Sequence, residues 1–196
     1  MGQRLVTTVK GTDGNIIGTV YYQWSGYTYT ALSEAIKIIE LFNDSEFSKI
    51  SDERLRLIRI VESFGGGIDD DDKEYITSQF PNEVFKGNQD RNNGLVDLST
   101  KGIENTSSCA NYTSEVDFQN SIYKDNYITV DLEDVLNDSL ESETPLNIET
   151  LKVIYFDLSN VHFDNIYTAL AILNENRNNR YIYNKELDVY YEILFL

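Results

Sequence analysis

Cysteine and histidine are nearly absent from this chain: Cys109 and His162 are the only ones in 196 residues. A single cysteine excludes an intrachain disulfide and fits a reducing compartment, so a cytoplasmic location is expected. One Cys and one His cannot supply the ligand set of a zinc site. No metal and no cofactor are expected. Only 2 Pro and 11 Gly occur, which argues against a disordered or fibrous chain. No apolar run approaches the roughly 18 residues of a membrane span. The opening Met1-Gly2-Gln3-Arg4 lacks the basic and apolar regions of a signal peptide, so no membrane partner is expected. Phosphate-binding loops are missing too: Gly65-Gly66-Gly67 is followed by four aspartates, which repel phosphate. Basic residues are scarce, with 16 Lys and Arg against 33 Asp and Glu and a formal net charge of -17. Such a charge repels nucleic acid and anionic membranes and favours basic partners.

Aromatics are plentiful: 14 Tyr, 9 Phe and 1 Trp can bury enough area for a real core. The length fits a single domain over 1–196, with an acidic sub-region at 103–149. Residues 4–10 and 16–24 alternate around the turn cluster 11–15 and predict a β-hairpin. Leu32, Ala35, Ile36, Ile39 and Phe42 recur at helical spacing, predicting a helix over 29–42. Ser51 reads as the N-cap of a second helix, carrying Leu55, Ile58, Val61 and Glu62 and stopping at the glycines. Residues 82–94 read as loop. Strands are predicted at 95–99, 115–123, 127–132 and 151–158, a short helix at 133–140, a helix at 162–176, and a hairpin over 180–196. Together these predict an α+β fold with a mostly antiparallel sheet, whose N-terminal hairpin is followed by two helices covering one face.

Four constellations carry chemistry. The first is Asp69-Asp70-Asp71-Asp72 with Glu74, read as an exposed loop after the glycines. It is either a solvated loop or a surface that mimics phosphates or binds a divalent cation through hard oxygens. It lacks the spacing of an EF-hand. The second is the stretch 103–149, with eleven acids against Lys124 alone; Asp131, Glu133, Asp134, Asp138, Glu141 and Glu143 are its densest part. It is either a solubility device or a partner-binding surface. The third is the hairpin end, where Tyr22, Trp24 and Tyr27 are either core or a binding patch. The fourth is Asp90-Arg91-Asn92, either an ion pair that fixes a turn or a polar wall of a pocket. Arg54, Arg56 and Arg59 form the densest basic cluster and are candidate phosphate contacts for such a pocket. No catalytic residue stands out. A Cys109–His162 pair would need side-chain contact.

Gly2-Gln3-Arg4-Leu5, Tyr22-Gln23-Trp24-Ser25-Gly26-Tyr27-Thr28 and Asp90-Arg91-Asn92-Asn93-Gly94-Leu95 resemble patches in small acidic proteins of Gram-positive phages and prophages. In those relatives His often stands at the place of Gln23. The resemblance brings no functional residue with it, and it implies an anti-defence role of the anti-CRISPR kind. The N-terminal hairpin is also loosely similar to the start of N-terminal-nucleophile hydrolases. Gly2 offers no nucleophile, so activity of that class is disfavoured. The expected function is therefore an inhibitor of a bacterial defence system. It would act in the host cytoplasm on a basic nucleic-acid-handling protein, such as a defence nuclease or CRISPR effector, without touching nucleic acid itself. The alternative is a small-molecule or nucleotide-binding protein, or a hydrolase, with a pocket near the N-terminal hairpin and the Asp90–Asn93 loop.

Overall fold

A computed structural model describes residues 3–26, 28–87, 90–125, 151–156, 181–184 and 189–195. The hairpin forms as the alternation predicts, from β1 (Leu5–Lys10) and β2 (Ile16–Tyr22). Asp13 ties its turn by accepting from the Asn15 backbone at 2.9 Å. Helix α1 (Thr28–Phe42) and helix α2 (Glu53–Ser63) follow. The cap of α2 is Asp52, one residue after Ser51; its carboxylate accepts from the backbone of Arg54 and Leu55. A carboxylate at that place satisfies orphan donors and meets the positive helix end. The helix stops where Gly65 turns left-handed at φ 89°.

The glycine run then yields a two-residue strand β3 (Gly67–Ile68), helix α3 (Lys73–Gln79), strand β4 (Leu95–Asp97) and helix α4 (Thr100–Ser108). Strand β5 (Tyr112–Asp117) and strand β6 (Ile122–Asp125) take the place of the single strand expected over 115–123. Strand β7 (Leu151–Phe156) lies where the apolar run predicts it, and β8 (Tyr181–Asn184) with β9 (Val189–Phe195) makes the C-terminal antiparallel pair. The segments expected at 127–132, 133–140 and 162–176 lie outside the described residues.

The fold is α+β, but its main sheet is mixed rather than mostly antiparallel. Six strands run in the order β3-β4-β2-β1-β5-β6. Pairs β1/β2, β2/β4 and β5/β6 are antiparallel, whereas β1/β5 and β3/β4 are parallel. A second sheet, β7-β9-β8, holds one pair of each kind. Hairpins announce themselves through local turn residues. A parallel pair has no such signal, because its strands are joined by a distant crossover. The β1/β5 pairing spans more than a hundred residues, from Leu5 to Tyr112.

Helix α1 lies against β1, β5 and β6, and α2 lies against β2, β3 and β4. The face they meet carries Leu5, Val9, Val20, Tyr22, Val96 and Val116, all buried. Phe42 of α1 stacks on Phe118 with ring centroids 4.0 Å apart. Burying such side chains gives about 1.5–3 kcal/mol each. The opposite face of the sheet is where the polar groups gather.

Candidate functional site

Tyr21 and Leu95 are cross-strand partners, as are Thr19 and Asp97. Directly paired residues share a face, so these four point away from the α1–α2 core. Helix α4 crosses this second face. Ser99 caps it by accepting from the Gly102 backbone at 2.9 Å, and the Thr106 hydroxyl donates to Asp97 Oδ2. At its far end Asn111 accepts from Arg4 Nε at 3.2 Å. Helix, sheet and the β3–α3 loop enclose a cleft of about 920 Å³.

One end of the cleft is basic. Arg4, just before β1, and Arg91, just before β4, line it beside Tyr21, Gln23 and Cys109. The backbone of Gln23 donates to the Arg91 carbonyl at 3.0 Å, which ties the Asp90 loop to the end of β2. The Tyr21 hydroxyl donates to Gln23 Oε1 at 2.6 Å. Burial raises the pKa of that hydroxyl, and the nearby Arg4 and Arg91 pull it back down.

The other end is acidic. Asp69, Asp70, Asp71, Asp72 and Asp97 all line it. Asp69–Asp72 lie past the carboxyl end of β3, and Asp97 is the last residue of β4, its parallel neighbour. In sheets with parallel neighbours this is the usual place for a ligand crevice. The four aspartates are not one uniform exposed loop. Asp70 and Asp71 are exposed and Asp69 is half-buried, whereas Asp72 is only 2% exposed. Asp72 accepts from Leu98 N at 2.6 Å, Ser99 N at 2.9 Å and the Ser99 hydroxyl, and so pins the β4–α4 junction.

Asp97 is 1% exposed. Burial pushes its pKa from 3.8 up to about 7; the Thr106 hydrogen bond opposes the rise, and the charges of Asp69, Asp72 and Asp71 add to it. Its Oδ1 accepts from no described residue. Gly102 separates it from Asp72: a Cβ on Gly102 would sit 2.9 Å from Asp97 Oδ1 and 3.0 Å from Asp72 Oδ1. Both oxygens therefore lie within about 6 Å of each other, packed against buried Gly102, where a side chain would not fit. Lys101, exposed on the first turn of α4, completes the rim.

None of the cleft's basic side chains forms a salt bridge with its carboxylates; the ion pairs among the described residues lie elsewhere. No group of three or more His, Cys, Asp or Glu among the described residues could hold a metal ion.

Three of the four constellations meet here, each with part of its residues. The acid run contributes Asp69–Asp72; Glu74 lies outside the cleft, on exposed α3. The hairpin end contributes Tyr21 and Gln23, whereas Tyr22 is buried in the core and Trp24 is 55% exposed elsewhere. The fourth contributes Arg91. Asp90 forms no ion pair with it and instead accepts from Asn92 N and Asn93 Nδ2 to close its own turn. Asp131, Glu133, Asp134, Asp138, Glu141, Glu143 and Tyr27 lie outside the described residues.

Arg54, Arg56 and Arg59 serve the scaffold. Arg56 donates to the Ile50 carbonyl, Arg59 bridges Glu62 and Glu83, and Arg54 donates to the Tyr75 hydroxyl. Cys109 is the C-cap of helix α4. Sequence reasoning missed Arg4, Asp97, Lys101 and Thr106 as site residues. The one signal for Asp97 was an acid closing the apolar run Leu95-Val96. No family model matches the chain, and neither the curated proteins nor the solved structures offer a match.

Proposed function

We propose that this protein binds a small molecule in the cleft between α4 and the sheet. One observation carries the reading. Cationic and anionic side chains from separate segments line one cavity, yet none pairs with another. Opposite charges held near each other without an ion pair are free to engage a ligand. The volume is within the range of small-molecule sites, roughly 300–1,000 Å³. Arg4 and Arg91, not the α2 arginines, offer anion contacts in this cleft. Cys109 is exposed, lines the cleft and is the chain's sole cysteine, so its alkylation reports occupancy. Host-cell metabolite fractions are added while Cys109 reacts with a thiol reagent. At least one fraction should slow the reaction in wild type and not in Arg91→Ala. Uniform reactivity with every fraction ends this reading.

A second reading keeps the cytoplasmic anti-defence inhibitor of phage type. Asp70, Asp71 and Glu74 are all exposed around the start of α3, open to a basic partner. A pull-down from a Gram-positive host carrying defence nucleases should then yield a complex that weakens steeply between about 0.1 and 1 M salt. A complex indifferent to salt refutes the electrostatic version. No helix among the described residues is long and apolar enough to cross a membrane.

A further inference from the structure

We propose that the cleft takes a small hydroxylated oxyanion, its carboxylate or phosphate group gripped by Arg4 and Arg91 and its hydroxyls turned along α4. This rests on the small-molecule reading and adds the chemical class.

The grip is built by the sheet. Arg4 stands two residues before Val6, and alternation puts it on the face that carries Tyr21 and Leu95. Its Nε donates to Asn111 Oδ1 at 3.2 Å, which orients the guanidinium and leaves its two terminal nitrogens without a partner among the described residues. Arg91 comes from the loop before β4, its carbonyl tied to the Gln23 backbone. Its guanidinium has no hydrogen bond or ion pair with a described residue. Burial raises the Tyr21 pKa and the charges of Arg4 and Arg91 lower it, so both guanidiniums lie around that hydroxyl. Tyr21 donates its proton to Gln23 Oε1, which leaves the Gln23 NH2 as a further donor.

Two guanidiniums held around one hydroxyl repel each other. In a chain with 33 acids against 16 bases, carboxylates could have neutralised both. Arg59 of α2 is paired in that way, with Glu62 and Glu83. The cleft's own acids sit on the β3–α3 loop and β4, and none forms an ion pair with either arginine. An oxyanion between the two forks removes the repulsion and accepts charge-assisted bonds from both.

The rest of the ligand follows from the walls. Leu95 is the one aliphatic side chain among the residues lining the cleft, and it is 1% exposed. A hydrocarbon body would gain little there. Asn105 and Thr106 of α4, and the exposed Asp70 and Asp71, offer polar contact instead. A second anionic group at the acidic end would meet like charge, whereas hydroxyls donate to carboxylates. One anionic head and a hydroxyl-bearing body therefore fit both ends, while Asp72 and Asp97 stay buried.

The probes are D-gluconate, D-glucose 6-phosphate, hexanoate and D-glucose, read by calorimetry and by protection of Cys109, which lines the arginine end. Gluconate and glucose 6-phosphate separate a carboxylate head from a phosphate head. Hexanoate keeps the charge without the hydroxyls, and glucose keeps the hydroxyls without the charge. At least one hydroxylated anion should bind about 10- to 100-fold more tightly than either control, the worth of a charge-assisted contact. Arg91→Gln should cost that anion about 10- to 100-fold and leave glucose unchanged; Arg91→Lys should recover part of the loss. Asp71→Ala should weaken the hydroxylated anion and strengthen hexanoate, because a hydroxyl acceptor and a repulsive charge leave together. Arg91 and Asp71 are both exposed, so these variants should unfold in urea like wild type.

Hexanoate binding as tightly as the hydroxylated anions overturns the proposed body. Glucose binding as tightly, or Arg91→Gln leaving both anions unaffected, overturns the grip. If no probe protects Cys109 while a metabolite fraction does, the hydroxylated oxyanion falls and the binding cleft stands. If nothing protects Cys109, both fall.

Discussion

Replacing Asp97 by Asn removes a charge and keeps the shape, in a place where charge is expensive. The Thr106 hydroxyl can still donate to the amide oxygen, and the new NH2 group faces Asp72 across Gly102. The carboxyl has a pKa near 3.8 when unfolded and about 7 when folded. A raised folded value means that the contribution to stability is fully present below about pH 3.8 and is lost as pH rises through about 7. Each unit is worth about 1.4 kcal/mol, so roughly three units set a ceiling of about 4 kcal/mol above pH 7. The effective dielectric around buried charges exceeds that of a dry interior and lowers this to about 2 kcal/mol. Most of the loss falls between pH 5 and 8. In urea unfolding, Asp97→Asn should therefore gain about 1–2 kcal/mol on wild type as pH goes from 5 to 8. For a chain of this size that is about 2–8 °C in Tm. Comparison of the two proteins at each pH cancels the titration of groups not coupled to Asp97. A difference that stays constant from pH 5 to 8, or a variant less stable than wild type at pH 8, would refute the burial argument.

Asp72→Ala leaves the Leu98 and Ser99 backbone donors unpaired and should cost about 2–5 kcal/mol by urea titration, whereas Asp70→Ala, two residues away and exposed, should stay within about 0.5 kcal/mol. Equal losses at the two positions would dissolve the distinction between anchor and rim. Phe42→Ala removes the ring stacked on Phe118 and should lower stability by about 3–5 kcal/mol in the same assay; a loss under 1 kcal/mol would mean that the α1 contact is not core. Asp52→Ala should cost about 1 kcal/mol by losing the cap of α2, and Ser51→Ala close to nothing. The reverse order would restore Ser51 as the cap.

Local elements were readable from the chain because their causes are local. The hairpin, α1, α2, and the β8–β9 pair follow from apolar spacing and turn residues within a few positions. Net charge, the scarcity of cysteine and histidine, and the absence of phosphate-loop motifs are likewise properties of composition. Helix α4 escaped notice because its Ser, Thr and Asn residues have weak helix propensity. It forms where Ser99 caps it and Asp72 holds its first turn.

The cleft itself was decided by tertiary structure. The parallel β3/β4 pairing puts the acid run beside Asp97, 25 residues further along the chain than Asp72. The β4/β2 register then turns Asp97 and Tyr21 onto the face that α4 crosses. Charge composition says only that carboxylates must find water or partners. Which one is buried among other carboxylates with a single hydroxyl donor, and so holds its proton near neutrality, depends on which strand, helix and loop meet. Sequence alone marked this chain as acidic; the fold made one end of a cleft basic and buried one acid at the other.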